Sequence, residues 1–156
     1  MTSEREPGDG HHWNVRVSTT GKDAARVFAR RHQFTVGAPV HFDEAYGQVS
    51  ALEYALGAVG AELVNGLVSL GRRRRLAIDH AEALVQGELD DALAYLGAVG
   101  ATGHAGLARV AVKVYVSSVE DEDAVRKLWD DVLERSPLVR ALCAAIRFDL
   151  VFKVSI

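Results

Sequence analysis

Two segments in the second half of the chain place large apolar residues at every other position. Val110, Val112, Val114 and Val116 are separated by Ala111, Lys113 and Tyr115, and Ile146, Phe148, Leu150, Phe152, Val154 and Ile156 by Arg147, Asp149, Val151, Lys153 and Ser155. A period of two predicts strands with one face on a core. Between them the period becomes helical. Over residues 120–135, Val125, Leu128, Trp129, Val132 and Leu133 form one stripe, and the acidic run Glu120-Asp121-Glu122-Asp123 suits the positive end of a helix. Ser136 then reads as the N-cap of a further helix that starts at Pro137.

The first half predicts a long, nearly apolar helix over residues 50–71. Ser50 and Glu53 have the spacing of a capping box, and Arg72 to Arg75 place cations where the helix ends. Residues 77–88 read as a strand with Ile78, His80, Glu82 and Leu84 on one side. Ahead of the helix, Trp13 to Val17, residues 25–32 and residues 34–42 (broken by Gly37 and Pro39) read as a small antiparallel meander with a turn at 20–23. Residues 89–106 contain Gly97, Gly100, Gly103 and Gly106 and read as an ordered loop with a helical turn at 91–95. The element order gives an α+β fold. Residues 1–11 are expected to be disordered and residues 12–156 to form a single domain. The repeated Leu-Gly-Ala-Val-Gly-Ala at 56–61 and 96–101 is one short match and implies no repeat architecture.

Length supports the same picture, since 156 residues suffice for one well-packed domain. A net charge of -3 argues against nucleic acid as a partner, because phosphate binding draws on clustered positive charge. The lone cysteine, Cys143, rules out an intrachain disulfide. The opening residues are polar and acidic, unlike a secretion signal. The 50–71 helix has the length of a membrane span but carries Glu53, Glu62 and Asn65, so it reads as a core helix. The expected setting is soluble and cytoplasmic, with no membrane. His80, Glu82 and His104 lack metal-ligand spacing, and no metal or cofactor is expected.

Two motifs carry a family resemblance. The helix Ser50-Ala51-Leu52-Glu53 through Glu62, and Ser136-Pro137-Leu138-Val139-Arg140-Ala141-Leu142, resemble the two cysteine-bearing segments of the OsmC/Ohr family, the osmotically induced and organic-hydroperoxide-resistance proteins. In that family the first helix carries the peroxide-attacking cysteine and the second segment, Cys-Pro-x-x-Arg-x-Leu, supplies the resolving one. The matching positions here are Glu62 and Ser136, and Leu52 stands at the family's first acidic position. The resemblance, which runs in element order from about Trp13 onward, implies curved antiparallel sheets around a long central helix. It also implies an intertwined homodimer with its sites at the subunit interface. Gly57, Gly60 and Gly66 agree with the last point, since glycine inside a helix costs roughly 1 kcal/mol and is tolerated where another backbone comes close.

The candidate site residues are therefore Glu62, Asn65, Ser136 and Arg140. Glu62 heads a polar stripe with Asn65 and Ser69 on an apolar helix; buried carboxylates need a partner, and Arg140 is the expected counter-charge. The stripe equally suits a surface facing solvent or a partner. Ser136 is accounted for by its cap role alone, and Cys143 by a buried, inert position. Three functions follow. The first is a homodimer that has lost the two-thiol cycle and binds a small, partly apolar or peroxide-like ligand at the interface. The second is an altered enzyme, a hydroperoxide reductase or hydrolase using Glu62 or Cys143. The third is a purely structural dimer.

Overall fold

A computed structural model describes residues 11–155. All but one of the residues expected to be disordered at the start lie outside that range. The chain divides into two compact units, one ending at Tyr54 and one beginning at Ala55.

In the first unit β1 (Arg16–Thr19), β2 (Ala25–Ala29) and β3 (His32–Val36) form the expected antiparallel meander, with Val17 opposite Val27 and Val27 opposite Phe34. All three strands are shorter than the pattern suggests. Arg30 adopts a left-handed conformation (φ 57°), so the chain reverses through Arg30 and Arg31 and β2 ends before His32. Trp13 and Val15 precede β1 and are exposed. After β3 the chain turns around Tyr46, whose hydroxyl accepts from the Ala38 amide at 2.9 Å. A Cβ at Gly37 would lie 2.6 Å from that hydroxyl oxygen, which explains the glycine. An apolar hollow of about 400 Å³ remains beside Val17, Val27, Val36 and Pro39.

Helix α1 (Ala51–Arg74) opens with the predicted capping box. The Ser50 amide donates to Glu53 Oε2 at 2.7 Å, and the Glu53 amide donates to Ser50 Oγ at 3.2 Å. Hydrogen bonding from the Ser50 amide first, and from the Ser50 hydroxyl second, holds the Glu53 carboxyl below its usual pKa.

In the second unit the same helix buries Val59, Leu63, Leu67 and Leu70, a stripe at spacings of four, four and three. They pack on a sheet of β4 (His80–Leu89), β5 (Leu107–Ser117) and β6 (Arg147–Ser155), with β5 in the middle. Val110, Val112, Val114 and Val116 have almost no exposure. Helices α3 (Glu122–Glu134) and α4 (Pro137–Ala145) follow β5, and Trp129 of α3 stacks on Phe152 of β6 with ring centres 4.6 Å apart. The short α2 (Ala92–Tyr95) sits in the expected ordered loop, where Asp91 accepts from the amides of Leu93, Ala94 and Gly103.

Two expectations need correction. The sheet is not wholly antiparallel, because β6 runs parallel to β5. The connection between them holds two helices, long enough to return the chain to the same end of the sheet. The helix glycines have neighbours within this chain. A Cβ on Gly60 would lie 3.0 Å from Val85 of β4, and one on Gly66 would lie 2.9 Å from Val132 of α3. Close approach by the sheet and by α3 thus accounts for both, and of these three helix glycines only Gly57 has open space around it among the described residues.

The outer face of the sheet is tied by charge. Arg109 of β5 donates to Asp149 of β6 at 2.6 Å, and Arg147 stands 3.2 Å from the same carboxylate. The hydrogen bond from Arg109 is the main reason the Asp149 carboxyl titrates below its usual range.

Replacing Ser50 by Ala removes one half of the capping box and is expected to lower stability by about 1 kcal/mol. It should also let the Glu53 carboxyl titrate closer to its ordinary value. Because that pKa is depressed in the fold, the contribution is present above the unfolded value and lost as pH falls through the folded one. Denaturation at several pH values checks the first expectation and an NMR titration of Glu53 the second; an unchanged Glu53 curve in the variant would refute the coupling.

Candidate functional site

The midpoint of α1 presents Glu62 to the junction of α3 and α4. Helix α3 ends at Glu134, Arg135 caps it, and Ser136 begins α4 in an extended conformation (φ -86°, ψ 104°) with Pro137 at the first helical position. Ser136 is 2% exposed and caps as its sequence suggests, accepting from the Val139 amide at 3.2 Å. Its hydroxyl hydrogen is then free for another acceptor. That acceptor is Glu62 Oε2, while the Leu138 amide lies 3.5 Å from Glu62 Oε1. The carboxylate therefore sits at the positive end of α4, where a negative charge gains roughly 0.3–1 kcal/mol from the helix dipole. A hydrogen bond to a charged group adds about 1.5–3 kcal/mol. This is how a half-buried glutamate is accommodated on an apolar helix.

The two residues that the resemblance singles out are thus adjacent within one chain. The expected counter-charge is not there. Arg140 is exposed, and no ion pair joins it to Glu62 among the described residues; it borders a separate open groove with Val139, Cys143 and Leu150. It lies one helical turn beyond Ser136 and does not line the pocket that holds Glu62. Asn65 is exposed and lies outside the Glu62 pocket.

That pocket has a volume of about 210 Å³. Glu62 and Ser136 form one part of its wall, Gly66, Leu70 and Val132 an apolar part, and Ser69, Arg73 and Arg135 the remainder. The two arginines are the members that sequence reasoning missed. Arg73 was visible only as one of four arginines ending a helix, and Arg135 only as the residue before the cap.

Cys143 also departs from expectation, because it is exposed. Its stretch of α4 leaves one side uncovered, and the thiol borders a second open groove of about 500 Å³ shared with Asp90, His104 and Arg147. This larger groove shares no lining residue with the Glu62–Ser136 pocket, and we take the smaller pocket as the site because two paired polar groups converge there. Among the described residues no three His, Cys, Asp or Glu side chains group closely enough to hold a metal.

Comparison with known proteins gives the architecture a name. No protein-family model and no curated protein matches the chain by sequence. Solved structures do match. An OsmC-like protein from Mycoplasma pneumoniae superposes with a TM-score of 0.73 at 14% identity, over 93% of this chain and 96% of that one. The chain has the OsmC/Ohr fold. An organic hydroperoxide resistance protein OsmC from Legionella pneumophila gives a TM-score of 0.63 at 11% identity (94% and 98% covered). OhrB of Bacillus subtilis, also an organic hydroperoxide resistance protein, gives 0.58 at 15% (90% and 98%).

The contact between Glu62 and Ser136 predicts energetic coupling. Glu62→Gln and Ser136→Ala are each expected to destabilise, and the double variant to lose less than the sum, with a coupling of about 0.5–3 kcal/mol. Glu62→Gln and Arg140→Gln should be additive within about 0.5 kcal/mol. Chemical denaturation of the two cycles decides, and additivity in the first would show that the bond contributes nothing net.

Proposed function

We propose that this protein is a redox-inert member of the OsmC/Ohr fold group that binds a small, partly apolar ligand in the pocket beside Glu62 and Ser136. It would act as a soluble, cytoplasmic homodimer. The observation that carries the reading is the direct contact of Glu62 with Ser136 on the wall of a pocket. These are the positions where the family resemblance implies two cysteines, and neither a carboxylate nor a hydroxyl can pass through a disulfide. Fold neighbours are named for organic hydroperoxide resistance. The fold is kept and other residues occupy both of those cysteine positions, which supports binding over a two-thiol cycle.

The homodimer rests on apolar surface. Helix α1 is long and apolar enough to cross a bilayer by length and composition, yet only 33% of its most apolar stretch is buried. The hollow beside Val17 and Val27 adds a second uncovered apolar area. Both suit a second copy of the chain. Sedimentation equilibrium is expected to give a dimer at micromolar concentration; a monomer would remove this part of the proposal.

A second reading has one observation in its favour: Cys143 is exposed at a groove that also contains His104. A single thiol could reduce a hydroperoxide through a sulfenic acid, with an external thiol completing the cycle.

One assay separates the readings. Organic-hydroperoxide consumption with a dithiol reductant is expected to be absent in the unmodified chain and present in Glu62→Cys/Ser136→Cys. Activity in the unmodified chain that disappears in Cys143→Ser would favour the second reading. An inactive double variant that is folded by circular dichroism would show that the scaffold no longer supports the thiol chemistry.

A further inference from the structure

The pocket has an uneven distribution of charge, and that distribution selects among ligands. The charge of Glu62 is already engaged. One oxygen accepts from Ser136 and the other faces the Leu138 amide, so its negative charge is set against the N-terminus of α4. Arg73 and Arg135 are not engaged in this way. Both line the pocket, both are exposed, and neither belongs to an ion pair among the described residues. Asp131, a carboxylate on α3 close to the end of α1, is paired with Arg74. The pocket thus holds one glutamate already compensated and two arginines without partners.

Shape adds the second requirement. Gly66, Leu70 and Val132 give the pocket an apolar part, and its volume is about 210 Å³. That is smaller than the roughly 300 Å³ at which sites for drug-sized ligands begin. A planar guanidinium presents paired donors that match a carboxylate, and an apolar wall rewards a hydrocarbon chain. A doubly charged phosphate would bring two negative charges up to Glu62 instead of one, and it has no hydrocarbon part to lie on Leu70 and Val132.

We propose that the pocket takes a small monocarboxylate with a short apolar chain, its carboxylate held by Arg73 and Arg135 and its chain lying on Leu70 and Val132. This rests on the reading of the pocket as a ligand site and adds the chemical class of the ligand.

The test is a titration of the full-length, isotope-labelled protein with sodium hexanoate and, separately, with hexanamide, which has the same size and no charge. Amide shifts at Gly66 and Ser69 report occupancy. Hexanoate is expected to shift both amides and to bind about tenfold more tightly than hexanamide, a difference of about 1.4 kcal/mol. Arg73→Gln and Arg135→Gln should each weaken hexanoate by about tenfold, and added salt should weaken it further. Arg126→Gln, which removes an arginine paired with Glu122 outside the pocket, should change nothing. Equal binding of hexanoate and hexanamide, or indifference to both arginine variants, would overturn the anion assignment and leave the pocket standing. If neither compound shifts Gly66 or Ser69, the pocket reading itself fails and the proposal with it.

Discussion

Val110, Val112, Val114 and Val116 give β5 one side with almost no contact with water, and the second unit is arranged around the need to cover it. A strand buried in this way must have a partner on each edge and a layer on its face. Its edges are taken by β4 and β6, and its face by α1 together with the apolar stripe of α3. The position of Glu62 follows. Because Leu63 and Leu67 point into the sheet, the preceding residue lies about 100° around the helix, at the margin of the buried stripe. There it meets the start of α4, which α3 delivers to the same margin. The site is a by-product of covering β5.

Much of this was legible in the sequence because it rests on local rules. The period of two in β5 and β6, the stripe of α3, the box at Ser50 and the cap at Ser136 each depend on residues a few positions apart, and each element is found where the pattern puts it. The direction of β6 was not legible. Alternation looks the same in a parallel and an antiparallel strand, and the direction is set by a two-helix connection whose path no short window reports. The glycines of α1 misled for a related reason: a missing Cβ says that something comes close, not what.

Within the site, the two motifs single out positions 62 and 136 but not their contact, which joins residues far apart in the chain. The sequence also favoured the wrong cation. Arg140 has the motif spacing, yet the groups that border the pocket with Glu62 are Arg73 and Arg135, brought there by the last turn of α1 and the end of α3. Helix ends are where charged side chains are placed by geometry and not by periodicity, so a stripe analysis passes over them. Cys143 shows the same limit, since burial of a small apolar residue depends on what lies across from it, and among the described residues Cys143 is left exposed.

The bond between Glu62 and Ser136 differs from a disulfide in time as well as in chemistry. A disulfide, once formed, persists until a thiol exchanges with it, and uncatalysed rearrangement takes minutes to hours. It records that an oxidant has been present after the oxidant has gone. A hydroxyl–carboxylate contact breaks and re-forms as side chains rotate, with no chemical step between its two states. This position therefore keeps no history: its state at any moment depends only on what surrounds it then.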